Sequence, residues 1–271
     1  DPAIQDELLS AIDRHAEYIR DNLTAERNHR TLELYALIVV ALALPTLDHD
    51  GALLRLGMRE MHANLLTDIR PDGVQREHST DYHLIVLRSF LGARANLQLF
   101  GHSLPEDYDA QLSRACDFAM HCHRPDGVIP ATSDGDNGDY ADVLALGARV
   151  LGRSDLRYVA RRGDGGTPPT RRLMGFPDGG YWTQRSGWGT AEAFADERFL
   201  IFDCGPVGDG GHGHYDALSF EAMANGHLLV VDPEDGEQVL LVAEVAEGPV
   251  AEVVQQAGRA QGLLDQRQGR R

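Results

Sequence analysis

Two histidines two residues apart, His212 and His214, lie in the stretch GGHGHYDALSF between glycines and an apolar run. On extended backbone such a pair points to one side of the chain, and the flanking glycines let a ligand or another strand approach closely. Imidazole beside a carboxylate can move a proton near neutral pH or bind zinc, and a stable zinc site uses three or four ligands. The alternative is a hydrogen-bonded pair at the start of a strand. Asn225-Gly226 between apolar runs favours a two-residue type I′ hairpin turn. If Ala224 faces His227, paired positions sum to a constant, and Asp232 falls opposite Ser219, where the histidine segment enters the hairpin. Turn geometry thus predicts that Asp232 approaches His214.

Two other clusters carry chemistry. In Arg76-Glu77-His78-Ser79-Thr80-Asp81-Tyr82-His83, Ser79 or Thr80 can cap the following helix, which leaves Tyr82 in its first turn. Glu26-Arg27-Asn28-His29-Arg30 opens an apolar helix with Glu33 one turn inside. Each alone also reads as a plain capped or solvated helix start. Asp134, Asp136 and Asp139 are the candidates for a glycoside hydrolase's acid and base, but one Gly-rich loop holds all of them. That clustering suits a turn or cation site better than two carboxylates on opposite sides of a sugar. His121-Cys122-His123 near Cys116 reads as a helix end with buried cysteines, because adjacent helical residues diverge. Three cysteines without a CxxC argue against a disulfide framework.

The elements that must position these residues fall into two kinds. Apolar spacing by three and four predicts helices near 4–22, 30–44, 51–67, 81–100, 107–123 and 139–151. The pentapeptide Arg70-Pro71-Asp72-Gly73-Val74 recurs as Arg124-Pro125-Asp126-Gly127-Val128, a strong turn signal that marks a helical-hairpin repeat of the kind that stacks into a toroid. Residues 1–160 are therefore expected to be helical, and 161–179, rich in Gly, Pro, Thr and Arg, to be a linker. Segments with β character follow at 180–183, 198–203 and 217–224, within a second domain at 180–233. Residues 234–271 form an atypical tail without aromatic, His, Ser or Thr residues, expected as helix, disorder or the product of a truncated or frame-shifted gene.

A formal charge of −17 excludes counterion-releasing partners, so neither nucleic acid nor an anionic membrane is expected to bind. All 25 basic residues are arginine, suited to bidentate pairing with carboxylate or sulfate. The longest apolar run, Leu34 to Leu44, makes one buried helix, and no cationic leader precedes it, so no signal peptide is expected in this stretch.

From about Asn22 to Pro233 the order Asn28-His29, Glu77-His78-Ser79 with Tyr82-His83, Pro177-Asp178-Gly179-Gly180-Tyr181, GHGHYDALSFE, Asn225-Gly226 and Val231-Asp232-Pro233 resembles the heparinase II/III-like polysaccharide lyases, which include alginate and oligo-alginate lyases. The resemblance implies an α+β, multidomain fold: a partial (α/α) toroid of helical hairpins followed by an incomplete antiparallel β-sandwich. It implies β-elimination at a uronic acid, with an acidic polysaccharide or oligosaccharide as partner. Asn28 and His29 would contact the carboxylate, Tyr82 would transfer a proton, and His212 would assist from the β side. Arg76, Glu77 and His78 would shape the adjacent subsite, and Arg27 or Arg185 would add positive charge. His214 and Asp232 would match two ligands of a structural zinc, whose further histidine ligand has no counterpart after Pro233. The resemblance favours a periplasmic or extracellular location. An inactive glycan-binding remnant and a hydrolase on an α/α toroid are the alternatives. The oligomeric state is left open.

Overall fold

Asp1 caps the first helix by accepting the Ala3 N–H at 3.0 Å, with Pro2 in the first turn where its missing N–H costs nothing. In the computed structural model, residues 1–136, 138–209, 211–214 and 218–231 are described. Among these, the helices are α1 Pro2–Asp21, α2 Arg27–Ala43, α3 Ala52–Asp68, α4 Thr80–Leu99, α5 Glu106–Cys122, α6 Ala141–Leu151 and α7 Ser154–Ala160. The six helices expected from periodicity are present with shifts of a few residues. The seven-residue α7 was not anticipated, since it is too short to display a period. Leu34 and Ile38 of α2, Met61 and Leu65 of α3, and Leu84, Leu87, Phe90 and Leu91 of α4 meet in one core that extends to Leu112 and Cys116 of α5.

The repeated pentapeptide folds the same way twice. Arg70 N–H donates to the Val74 carbonyl at 2.8 Å and Gly73 N–H to the Arg70 carbonyl at 2.9 Å; Arg124, Val128 and Gly127 repeat both bonds at 2.9 Å. Asp72 and Asp126 accept the Val74 and Val128 N–H groups, and both glycines sit at positive φ. These turns end α3 and α5 and lead towards α4 and α6, so the loop ends of two hairpins lie on one side.

The sheet is an antiparallel meander of β1 Leu173–Phe176, β2 Tyr181–Arg185, β3 Phe199–Asp203, β4 Phe220–Ala224 and β5 His227–Val230, in sequence order. β2 alternates buried Tyr181, Thr183 and Arg185 with exposed Trp182 and Gln184. Phe176, Tyr181, Phe199, Ile201 and Met223 pack against Val74, Phe118 and Cys122, so sheet and helices share a second core. The helix-then-sheet order of an α+β chain stands as expected.

Two expectations need correction. The stretch 161–179 carries β1, whose hairpin partner follows a Pro-Asp-Gly-Gly turn; Gly175 and the flanking arginines hid its β pattern. The turn at Asn225-Gly226 has both residues at positive φ and pairs Ala224 with His227 and Met223 with Leu228, as type I′ geometry requires. Beyond that the register shifts between Ala222 and Met223, and Ala222 faces Val230. A β-bulge inserts one residue on β5, so the constant sum does not carry as far as Asp232. Asp232 itself lies outside the described residues.

Candidate active site

Ser79 caps α4, accepting the Tyr82 N–H at 3.3 Å, and its hydroxyl donates to the Asp134 carbonyl at 2.9 Å. This ties the first turn of α4 to the loop before α6. Asp134 in turn holds His212 twice: its backbone N–H donates to the His212 carbonyl at 2.9 Å, and its carboxylate accepts from Nδ1 at 2.7 Å. The His212 ring lies on Tyr82 with centroids 3.8 Å apart and planes 24° from parallel. On the far edge, Nε2 is 3.4 Å from Glu77 Oε2. Carboxylates only accept, so the contact to Asp134 fixes Nδ1 as the donor and leaves the Nε2 edge turned towards Glu77.

Glu77 is 1% exposed, and its carboxylate reaches across to the start of α2. It accepts the Asn28 backbone N–H at 2.9 Å and the Asn28 side-chain amide at 3.1 Å. Glu26, at the N-cap position, makes no side-chain cap of its own. Glu77 fills that role from a distant loop, placing negative charge at the positive end of the helix. Arg76 spans the same gap, donating to Glu26 and to Asp209, each at 2.8 Å. Glycines make the fit possible. A Cβ on Gly208 would lie 2.1 Å from the Glu77 carbonyl oxygen, and one on Gly213 would lie 2.4 Å from the Gly208 nitrogen. The strand-side loop bearing His212 thus lies directly on the segment that carries Arg76 and Glu77.

Asn28, Glu77, Tyr82 and His212 therefore converge. His29 follows Asn28 on the first turn of α2, exposed, with no side-chain hydrogen bond among the described residues. His78 is 2% exposed, sits at φ 60° and is covered by Gly205; burial, then Arg70, lowers its pKa to about 4, so it is neutral and out of reach of substrate. Its carbonyl accepts the Tyr181 hydroxyl at 2.9 Å. Arg76 and Glu77 are likewise committed to protein partners, so the subsite expected of Arg76, Glu77 and His78 is shaped by position rather than by free side chains. Arg185 is buried, stacks on Trp188 at 3.9 Å and donates to the His123 carbonyl, so it offers no charge to a cleft. Arg27 stays at the cleft edge beside Glu26.

A pocket of about 190 Å³ opens beside the stacked pair, lined by Asp81, Tyr82, Asp134, Asp136 and His214 among others. Burial, then Asp134 and Asp81, push the Tyr82 phenol above its ordinary range, so at neutral pH it is a proton donor. Asp81 accepts from Tyr140, and Asp139 caps Ala141 and faces Arg162. No acid–base pair spans the pocket from Asp139, and Asp134 serves His212. The role of Asp134 was missed in the sequence because it lies 78 positions from its partner. His121, Cys122 and His123 are buried at the end of α5, as the plain reading had them.

A profile described as heparinase II/III N-terminus matches residues 2–150, and one described as heparinase II/III-like, C-terminal, matches residues 168–233. The chain belongs to the heparinase II/III family. A heparin-sulfate lyase of Bacteroides stercoris is 25% identical over 244 residues, covering 88% of this chain and 35% of that protein. A heparin-sulfate lyase of Pedobacter heparinus is 23% identical over 240 residues, covering 85% and 35%. Among solved structures, a heparinase III superposes with a TM-score of 0.75 at 23% identity, covering 94% of this chain and 39% of its own. The heparan sulfate lyase HepC from Pedobacter heparinus gives 0.71 at 22% identity, covering 86% and 36%. The chain thus spans little more than a third of the length of these family members. Among the described residues no group of three or more His, Cys, Asp or Glu is arranged to hold a metal ion; of the two zinc ligands that the resemblance implies, His214 lines the pocket and Asp232 lies outside the described residues. No helix among the described residues is long and apolar enough to cross a membrane.

Proposed function

We propose that this heparinase II/III chain carries the catalytic centre of a polysaccharide lyase that cleaves uronic-acid-containing glycans, heparan-sulfate-like before alginate-like, by β-elimination. The observation that carries the reading is the stack of Tyr82 on His212 beside Asn28, at 3.8 Å. The proton on the carbon bearing the carboxylate is weakly acidic. Its removal needs the carboxylate neutralised, a base, and an acid for the departing glycosidic oxygen. Asn28 keeps a second amide proton once Glu77 has taken the first, and His212, whose Nδ1 is held by Asp134, presents its Nε2 edge from the β side. Tyr82, a phenol with free access to the pocket, hands its proton to the leaving oxygen as the carbon–oxygen bond breaks and the double bond forms. The proton on carbon leaves in that same step to a water molecule, its bonding pair becoming the double bond, and the Tyr82 phenolate then recovers a proton from that water. His29, on the exposed rim, meets the outer part of the uronate. The relatives' names favour a glycosaminoglycan substrate, and a secreted or periplasmic setting follows from such a substrate.

Incubation with heparan sulfate, hyaluronan and alginate, following the absorbance of the unsaturated uronate, tests this directly. Tyr82→Phe should abolish new absorbance while circular dichroism is kept. Retained activity in that variant, or reducing ends without absorbance in the wild type, would overturn the assignment in favour of another base or a hydrolase. Binding without either product would mark a remnant.

A further inference from the structure

Behind Glu77 lies a polar chain that the elimination itself does not use. Gln75 is fully buried, with 0% exposure, and Asp68, at the end of α3, is 1% exposed. The Gln75 side-chain oxygen accepts the Glu77 backbone N–H at 3.0 Å, and its amide nitrogen donates to Glu77 Oε1 at 2.9 Å. The same nitrogen faces the Asp68 carboxyl at 3.4 and 3.5 Å. This arrangement allows one amide orientation only. Flipped, the Gln75 oxygen would meet the Glu77 carboxylate and its NH₂ would meet the Glu77 N–H. Burial pushes the Asp68 carboxyl up to about 7. Glu77 is also the member with three donors, two from Asn28 and one from Gln75.

The repeated turn provides an internal comparison. Fifty-four positions on, the residues that correspond to Asp68, Gln75 and Glu77 are Cys122, Ile129 and Ala131, all buried. The second turn closes with the same backbone bonds as the first. Turn formation therefore does not require the polar trio, which appears only in the copy that reaches Asn28 and His212. Two buried carboxyls are costly to keep for stability alone.

We infer that Gln75, oriented by Asp68, is a positioning residue for the centre: it fixes the Glu77 carboxylate, and through it both the Asn28 amide and the Nε2 edge of His212. The inference rests on the proposed lyase reading for its effect on chemistry, whereas its effect on Asn28 stands apart from it. The test is the Asp68→Cys, Gln75→Ile double variant, which copies the second turn. Gln75→Glu, equal in length and placing a third carboxylate against Glu77, is the second variant. With asparagine side chains ¹⁵N-labelled, the Asn28 amide protons of the wild-type chain should be shifted and slowly exchanging. In either variant they should move to solvent-like shifts and exchange about tenfold faster or more, while melting stays cooperative. On a cleaved glycan, kcat should fall about tenfold or more with KM within about twofold, as expected when a reacting group is misplaced. Unchanged Asn28 signals in a folded variant, or a loss confined to KM, would overturn the inference. If the double variant does not fold, Gln75→Glu decides by the same signals. If the wild type cleaves none of the glycans, the lyase reading fails for those substrates, and the Asn28 signals alone decide the positioning.

Discussion

Lowering the pH from about 7 to about 5 should destabilise this protein, chiefly through four buried histidines. His78, His83, His121 and His123 are each 3% exposed or less, and burial lowers every one from 6.5 to about 4. His83 and His123 each bond one backbone carbonyl, Ala115 and Ala119, which does not compensate for the lost water. A histidine whose folded pKa lies below its unfolded value stays neutral in the fold and takes a proton on unfolding. Its contribution is full above about 6.5 and is lost as the pH falls towards 4. At about pH 5 each such group has given up about 2 kcal/mol relative to pH 7. Asp68 works the other way. Its folded pKa of about 7 lies above its usual 3.8, so protonation favours the fold and returns about 2 kcal/mol over the same interval. The net loss from these five groups, about 5 kcal/mol, reaches the lower end of the whole stability of an ordinary domain, about 5–15 kcal/mol. Urea unfolding followed by circular dichroism at a series of pH values measures it. At about pH 5.5 the slope should correspond to net uptake of between two and three protons, about 2.6 from these pKa values. A stability that is flat between pH 7 and 5, or a net uptake below about one proton, would refute the reasoning.

Asp134→Asn keeps the loop bond to His212 but removes the charge facing Nδ1. With an exposed bond of 2.7 Å, kcat should fall about three- to tenfold while melting moves little, as steady-state kinetics and calorimetry would show. Gly208→Ala drives a Cβ to 2.1 Å from the Glu77 carbonyl, so it should destabilise by about 1–3 kcal/mol in denaturant titration and lower activity with it. With a formal charge of −17 and an anionic glycan, association is opposed at long range. Raising the ionic strength from about 0.01 to about 0.15 M should therefore increase kcat/KM; a steep decrease would mean that local arginines dominate encounter.

The helices were legible because a buried stripe must repeat every three to four residues. Leu34 and Ile38, or Leu84, Leu87 and Leu91, declare their face in any fold. The Asn-Gly hairpin and the doubled RPDGV turn were legible for an equally local reason: only certain residues reach positive φ cheaply. The same local reasoning failed within β5, where one bulged residue moved the register so that Ala222 faces Val230. A bulge is decided by packing between strands, which leaves no mark in a two-residue turn.

Residue types and order alone established the α-then-β chain, the family, and the candidacy of Asn28, Tyr82 and His212. What the residues do to one another was settled only in three dimensions. Glu77 is a carboxylate with the credentials of a sugar-binding residue, yet burial at 1% and three donors turn it inwards to hold Asn28. Arg76 and Arg185 are equally cationic in the sequence, but one bridges Glu26 to Asp209 and the other is sealed against Trp188. His212 and Asp134 are 78 positions apart and become one unit. Spacing along a chain encodes contacts within a turn or two of helix or strand. Desolvation and pairing depend on what tertiary packing places opposite each group, and those two quantities separate a free catalytic side chain from a structural one.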